Sequence, residues 1–178
     1  MTYVELIVVL AIFSLITAVT VFDYRGFQAK VDIKNLASDI GLKIVEAQKS
    51  SLSGVLPLSG SDPTWKPSYG VYFSIATPTQ FIYFVDLNND KIYNETSLDT
   101  INITKGNYIS RIDSYTGITP TPITNPLSIT FKRPDSGASF TLNGVLLNGF
   151  DYIQITIISP TQITSKIKVY PSGRIEVD

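Results

Sequence analysis

Two groups of residues carry side chains at spacings that could do chemistry. The first is the run from Asp86 to Asn94, DLNNDKIYN. Asp86, Asn88, Asp90 and Asn94 place side-chain oxygens at alternate positions, and Ile92 adds a backbone carbonyl. Calcium takes six to eight oxygens, and this spacing wraps five around one point, as in a calcium-binding loop. Lys91 stands where such loops carry a glycine, and Ser97 where they carry an acid, so Glu95 or Asp99 would have to complete the shell. The same composition also makes a polar turn after a strand, where Asn and Asp bond to their own backbone. Calcium is therefore a possible cofactor, and nothing else in the chain asks for one.

The second group is Glu5 at the threshold of Leu6–Phe22, LIVVLAIFSLITAVTVF, a run without charge, Pro or Gly. As a helix these residues span roughly 26 Å, near the short end of what crosses a bilayer core. A carboxylate beside such a run is costly unless it meets a cation. The amino group of Met1, its own or a neighbour's, is such a cation. A secretory signal peptide fits poorly, because Met1–Leu6 holds no Lys or Arg and AVTVFDY is a poor cleavage site. A simple membrane anchor explains the run but not the glutamate.

Composition removes most other chemistry. The chain of 178 residues has no Cys and no His, which excludes disulfides, thiolate nucleophiles, ordinary zinc sites and Ser-His-Asp triads. Lys and Arg number 14 against 15 acids, so no basic excess supports non-specific nucleic-acid binding. No carboxylate pair stands out for glycoside hydrolysis, and an enzyme is not expected. Asn94-Glu-Thr96 and Asn102-Ile-Thr104 fit the N-glycosylation pattern, which a Thr-rich chain also produces by chance.

The elements that must position these residues follow from periodicity. Ile33, Leu36, Ala37, Ile40, Ile44 and Ala47 recur at intervals of three and four, and Lys34, Asp39, Lys43, Glu46 and Lys49 hold the opposite face. One helix of about fifty residues, roughly 75 Å long, is expected, apolar all round in its first half and amphipathic in its second. Asp39 and Lys43 are placed for an i,i+4 pair. Val19, Thr20 and Val21 are β-branched and Gly26 follows, so a loosening within Thr17–Gly26 is expected when the subunit leaves a membrane. Gly41 is a second soft spot or a close-packing point.

Beyond a Ser/Gly/Pro-rich loop at Ser50–Pro67 the period becomes two. Tyr69–Ile75 and Gln80–Asp86 read as a hairpin, with Tyr69, Tyr72, Phe73, Phe81, Tyr83 and Phe84 packing a core. Tyr108–Ile112, Leu127–Lys132, Ser139–Leu142, Tyr152–Ile158, Ser165–Tyr170 and Arg174–Val177 read as further strands, and Thr116–Pro126 as an irregular loop. The expected class is α+β: a long N-terminal helix packed on an antiparallel sheet. The divisions are an apolar helix at 1–25, its amphipathic continuation at 26–53 and a β-rich domain at 54–178.

The start MTYVELIVVLAIFSLI resembles the mature N-terminus of type IV pilins and pseudopilins. Thr2, Glu5 and Leu6 match that family's small polar residue, glutamate and following aliphatic residue; Met1 stands where Phe is usual. The resemblance implies a terminus exposed by a prepilin peptidase and N-methylated there. It also implies pairing of Glu5 with the Met1 amine of an adjacent subunit. Residence in the inner membrane before assembly would then give way to a homo-oligomeric helical filament on the cell surface, built by a pilus assembly machinery. Adhesion, motility or DNA uptake are the roles it suggests. The strand pattern, with FVDLNND after the hairpin, is similar to GspH/FimT-like minor subunits. Alternatives are a minor pseudopilin of a type II secretion-like system and a membrane-tethered binding domain that never polymerises.

Overall fold

A computed structural model describes residues 2–55, 67–93 and 96–178, leaving the side chains of 20–23, 25 and 96 outside the description. Helix α1 (Tyr3–Ser53) holds 51 residues. Its side chains are described in two stretches, 2–19 and 26–53, together with Tyr24. Among the described residues eleven strands follow: β1 (Ser68–Phe73), β2 (Gln80–Asp86), β3 (Thr96–Asn102), β4 (Tyr108–Thr116), β5 (Thr119–Pro122), β6 (Leu127–Phe131), β7 (Ala138–Leu142), β8 (Val145–Leu147), β9 (Tyr152–Ile158), β10 (Thr164–Val169) and β11 (Ile175–Val177). They form two antiparallel sheets, ordered β3-β2-β1-β6-β7-β8 and β11-β10-β9-β4-β5.

The α+β expectation, a fifty-residue helix packed on one sheet, is corrected by this architecture. The chain is mainly β, and the helix packs through its second half alone. Ile33, Ala37, Ile40, Ile44 and Ala47 are almost fully buried, whereas every described side chain from Thr2 to Val19 is exposed. The cause lies in the sequence. A stripe at spacing three and four can lie against a domain, but a segment apolar on every face has no single face to offer it.

Strand alternation explains the core. Val71 and Phe73, Phe81, Tyr83 and Val85, and Leu127, Ile129 and Phe131 point inward from the larger sheet. Ile153, Ile155, Ile157, Ile167 and Val169 do so from the smaller one, and all join the helix stripe in one cluster. The helix touches β1 and β6 of one sheet and β9, β10 and β11 of the other. Tyr72 and Phe84, expected in this core, face the other way. Their rings meet Tyr93 at centroid distances of 4.8 and 5.3 Å on the outer side of the larger sheet. Gly70 permits this, since a Cβ there would lie 2.6 Å from the Ile129 carbonyl oxygen and 2.8 Å from the Phe84 ring.

Gly41 is the close-packing point. A Cβ at this position would stand 3.1 Å from a Val177 methyl, so β11 sits down against the bare helix backbone. At the helix end Gly54 closes the last turn in the left-handed conformation (φ 63°). Gln48 Nε2 donates to the carbonyls of Ser136 (2.8 Å) and Gly173 (3.2 Å), tying two turns to the helix. The expected Asp39–Lys43 pair does not form. Lys43 Nζ instead meets Glu46 at 3.0 Å and Asp99 at 3.5 Å, because β3 brings Asp99 to the helix surface.

Candidate functional site: the helix start and the Asp86 loop

The N-terminal half of α1 begins on Thr2, whose backbone is extended (φ −83°, ψ 153°). Thr2 Oγ1 accepts the Glu5 N–H at 3.4 Å, and Glu5 Oε2 accepts the Thr2 N–H at 3.3 Å. This reciprocal pair is a capping box, which satisfies two amides that the first turn leaves without helical partners. It also fixes the carboxylate beside the helix start, where the positive end of the helix dipole favours a negative charge. Met1, the other half of the expected pairing, lies outside the described residues.

From Leu6 to Val19 the apolar surface runs around the whole helix. Leu6, Ile7, Val8, Val9, Leu10, Ile12, Phe13, Leu15, Ile16 and Val19 are each about half exposed or more, from 49% at Ile7 to 69% at Leu15. The hydroxyl of Thr17 does not interrupt it, since Oγ1 donates back to the Phe13 carbonyl at 2.8 Å. Among the described residues no helix is long and apolar enough to cross a membrane. The apolar run read from the sequence continues through residues 20–22, whose side chains lie outside the description.

The loop after β2 gathers most of the oxygens read as calcium ligands, and its geometry shows what they bond. Asp86 is buried at the end of the strand, and burial pushes its carboxyl above the usual range, against the lowering effect of the amides of Lys91 and Asp90. Its Oδ1 accepts the Asp90 N–H (3.2 Å) and its Oδ2 the Lys91 N–H (2.9 Å). Asn88 Oδ1 accepts the Asp90 N–H (3.0 Å), and Asn88 Nδ2 donates to Asp90 Oδ2 (2.9 Å). Asp90 Oδ1 accepts the Ile92 N–H (2.8 Å). Each Asp86 oxygen that accepts an amide has a second lone pair, so these bonds neither require nor exclude a cation. Asn94 lies outside the described residues, and among those described no three acids converge on one point.

What these bonds hold is a cover for the larger sheet. Asn89 and Lys91 adopt positive φ (58° and 67°), which folds the loop back. Ser68 Oγ donates to Asn89 Oδ1 at 2.6 Å, and the Tyr93 N–H donates to Ser128 Oγ at 3.3 Å. Tyr93 then covers Phe84, which is fully buried, and part of Tyr72. Sequence reasoning missed Tyr93; the alternation that puts Tyr72 and Phe84 on the outward side of their strands was the available signal. Comparison with protein-family models, with curated proteins and with solved structures finds no match for this chain.

Proposed function

We propose that this chain is a structural subunit of a type IV pilus or related filament, polymerising through the apolar first half of α1. The observation that carries the reading is that half itself: apolar on all faces, projecting beyond the domain, and capped at its start by Thr2 and Glu5. From Leu6 to Val19 alone, ten large apolar side chains stand in contact with solvent in the isolated chain. Covering them stabilises an assembly by on the order of 10 kcal/mol per subunit, at about 1.5–3 kcal/mol for each large side chain fully buried. Identical helices packed side by side supply that cover, and lipid supplies it before assembly.

Glu5 gives the bundle its register. One carboxylate oxygen caps its own helix, and the carboxylate as a whole pairs with the Met1 amine of the adjacent copy. An unpaired carboxylate inside an apolar bundle is costly, so misplaced subunits are disfavoured. The β domain faces outward, where it sets adhesion or other surface properties.

Glu5→Ala tests the proposal. The variant should retain the unfolding transition of the β domain and yield few or no fibres in sheared cell-surface material viewed by electron microscopy. Normal fibres from Glu5→Ala, or a freely dissolved monomer that keeps residues 1–19, would overturn it. A principal fibre protein other than this chain would point to the minor-subunit alternative.

A further inference from the structure

We infer that Asn102 is a site of N-linked glycosylation, its glycan shielding the open edge of the larger sheet. The inference starts from the four outer strands. In the smaller sheet β5 carries Pro120 and Pro122, which have no N–H to offer another strand, and β11 has three residues. In the larger sheet β8 also has three. Strand β3 differs, with seven residues, TSLDTIN, and no Pro, Lys or Arg among them. Its one charge, Asp99, is engaged by Lys43. Ser97, Leu98, Asp99, Thr100 and Asn102 are exposed. Among the described residues no strand pairs with its outer side, and a long edge of this kind presents amides and carbonyls to any extended chain, a second copy included.

Asn102 ends that strand and opens the triplet Asn102-Ile103-Thr104, the acceptor pattern with a residue other than Pro at its centre. The local geometry separates the triplet into an anchor and two presented groups. Ile103 is 7% exposed, and its N–H donates to the Thr79 carbonyl at 2.8 Å. Asn102 and Thr104 on either side are exposed. The chain then turns at Lys105 and Gly106, both at positive φ (59° and 72°). A sugar on Asn102 would therefore stand in water without displacing any core side chain. Asn35, Asn107, Asn125, Asn143 and Asn148 lack Ser or Thr two residues on.

The co-reactant is an oligosaccharide carried on a lipid diphosphate. Asn102 Nδ2 forms a bond to sugar C1 as the bond from C1 to the phosphate oxygen breaks. The lipid diphosphate leaves with the electron pair, and the amide gives up one proton to the transferring enzyme. The product is a bulky hydrated group at the end of β3, which hinders the approach of another strand. This inference rests on the filament reading for one thing, the outward placement of the β domain; an unmodified peptide from protein recovered in surface fibres would overturn it and leave that reading standing.

Trypsin releases both acceptor patterns in one peptide, Ile92–Lys105, so the experiment is done in an Asn94→Gln background. The protein is purified from the cells that make it, and this peptide is weighed by mass spectrometry. The expected result is a mass increased by a series of sugar residues, lost in Asn102→Gln and in Thr104→Ala and kept in Thr104→Ser. An unmodified peptide overturns the inference, and so does a sugar that persists in Asn102→Gln, which would place it on a hydroxyl. Removal of the glycan by an amidase should raise the aggregation rate several-fold; an unchanged rate would refute the shielding role.

Discussion

The two halves of α1 differ in what they touch, so equal truncations in each should have unequal effects. Ile40 is fully buried in the stripe between the sheets, and Phe13 is 68% exposed. Ile40→Ala removes a buried branched side chain from a closely packed core and should cost about 2–5 kcal/mol of domain stability. At about 2–4 °C per kcal/mol for a chain of this size, the midpoint should fall by roughly 10 °C. Phe13→Ala should leave that midpoint within about 2 °C, since exposed substitutions away from special features stay within about 0.5 kcal/mol. In an assembly the order reverses. Covering the exposed part of Phe13 contributes about 1–2 kcal/mol per subunit, from the upper range for a large side chain. The assay is thermal unfolding of both variants in mild detergent by near-ultraviolet circular dichroism, with sedimentation of surface fibres alongside. If Phe13→Ala lowers the domain midpoint as far as Ile40→Ala does, the first half packs on its own domain and the separation argued above is wrong.

Other consequences are equally open to measurement. Thr2→Val should remove the cap on the Glu5 amide, costing about 1 kcal/mol at the helix start, while Thr2→Ser retains it; equal fibre yields from the two variants would show that the capping box plays no part in assembly. Gly70→Ala should abolish or severely weaken folding, because the new Cβ would meet the Ile129 carbonyl and the Phe84 ring; a midpoint within about 3 °C of the parent would contradict that packing. Asp86 has its folded-state pKa raised above 3.8, first by burial, so the folded state holds that proton more tightly than the unfolded one. Stability should then fall as pH rises from 3.8 through the folded value, relative to Asp86→Asn, which does not titrate. A stability difference between the two proteins that stays constant from about pH 3 to 7 would refute this sign. Asp32 and Asp178 act oppositely, their carboxyls held low chiefly by hydrogen bonds from Lys105 and Lys168. Their contribution is present above 3.8 and is lost as pH falls further, so Lys105→Met should make the protein less sensitive to acid in that range.

What the sequence disclosed and what it hid follow from where each element sits. The helix stripe was legible, since Ile33, Ala37, Ile40, Ile44 and Ala47 hold a strict period and all are buried. Strands with a buried face were legible for the same reason, and Gln80–Asp86, Leu127–Phe131 and Tyr152–Ile158 fall where alternation puts them. The strands that escaped are edges. TSLDTIN is polar along its length, TPTP holds two prolines, and VLL is three residues long. None shows a sustained period of two, because an edge strand has little core to face. The second sheet was hidden with them. The oxygen spacing at Asp86 was visible, but its bonds to the loop's own amides depend on positive φ at Asn89 and Lys91. Lys43 chose Glu46 and Asp99 over Asp39, and no rule local to a helix contains a partner on β3.

The contact between Gly41 and Val177 has a mechanical consequence. Sliding the rod lengthwise by about one turn, roughly 5.4 Å, would carry Ala37 or Ile44, which share Gly41's face, toward the place where a Cβ would stand 3.1 Å from the Val177 methyl. Tension along the rod therefore loads the notch and the whole stripe at once, in shear, while a sideways pull would peel them one after another. In the filament proposed above, lengthwise load would reach each domain in the direction in which its rod is hardest to dislodge.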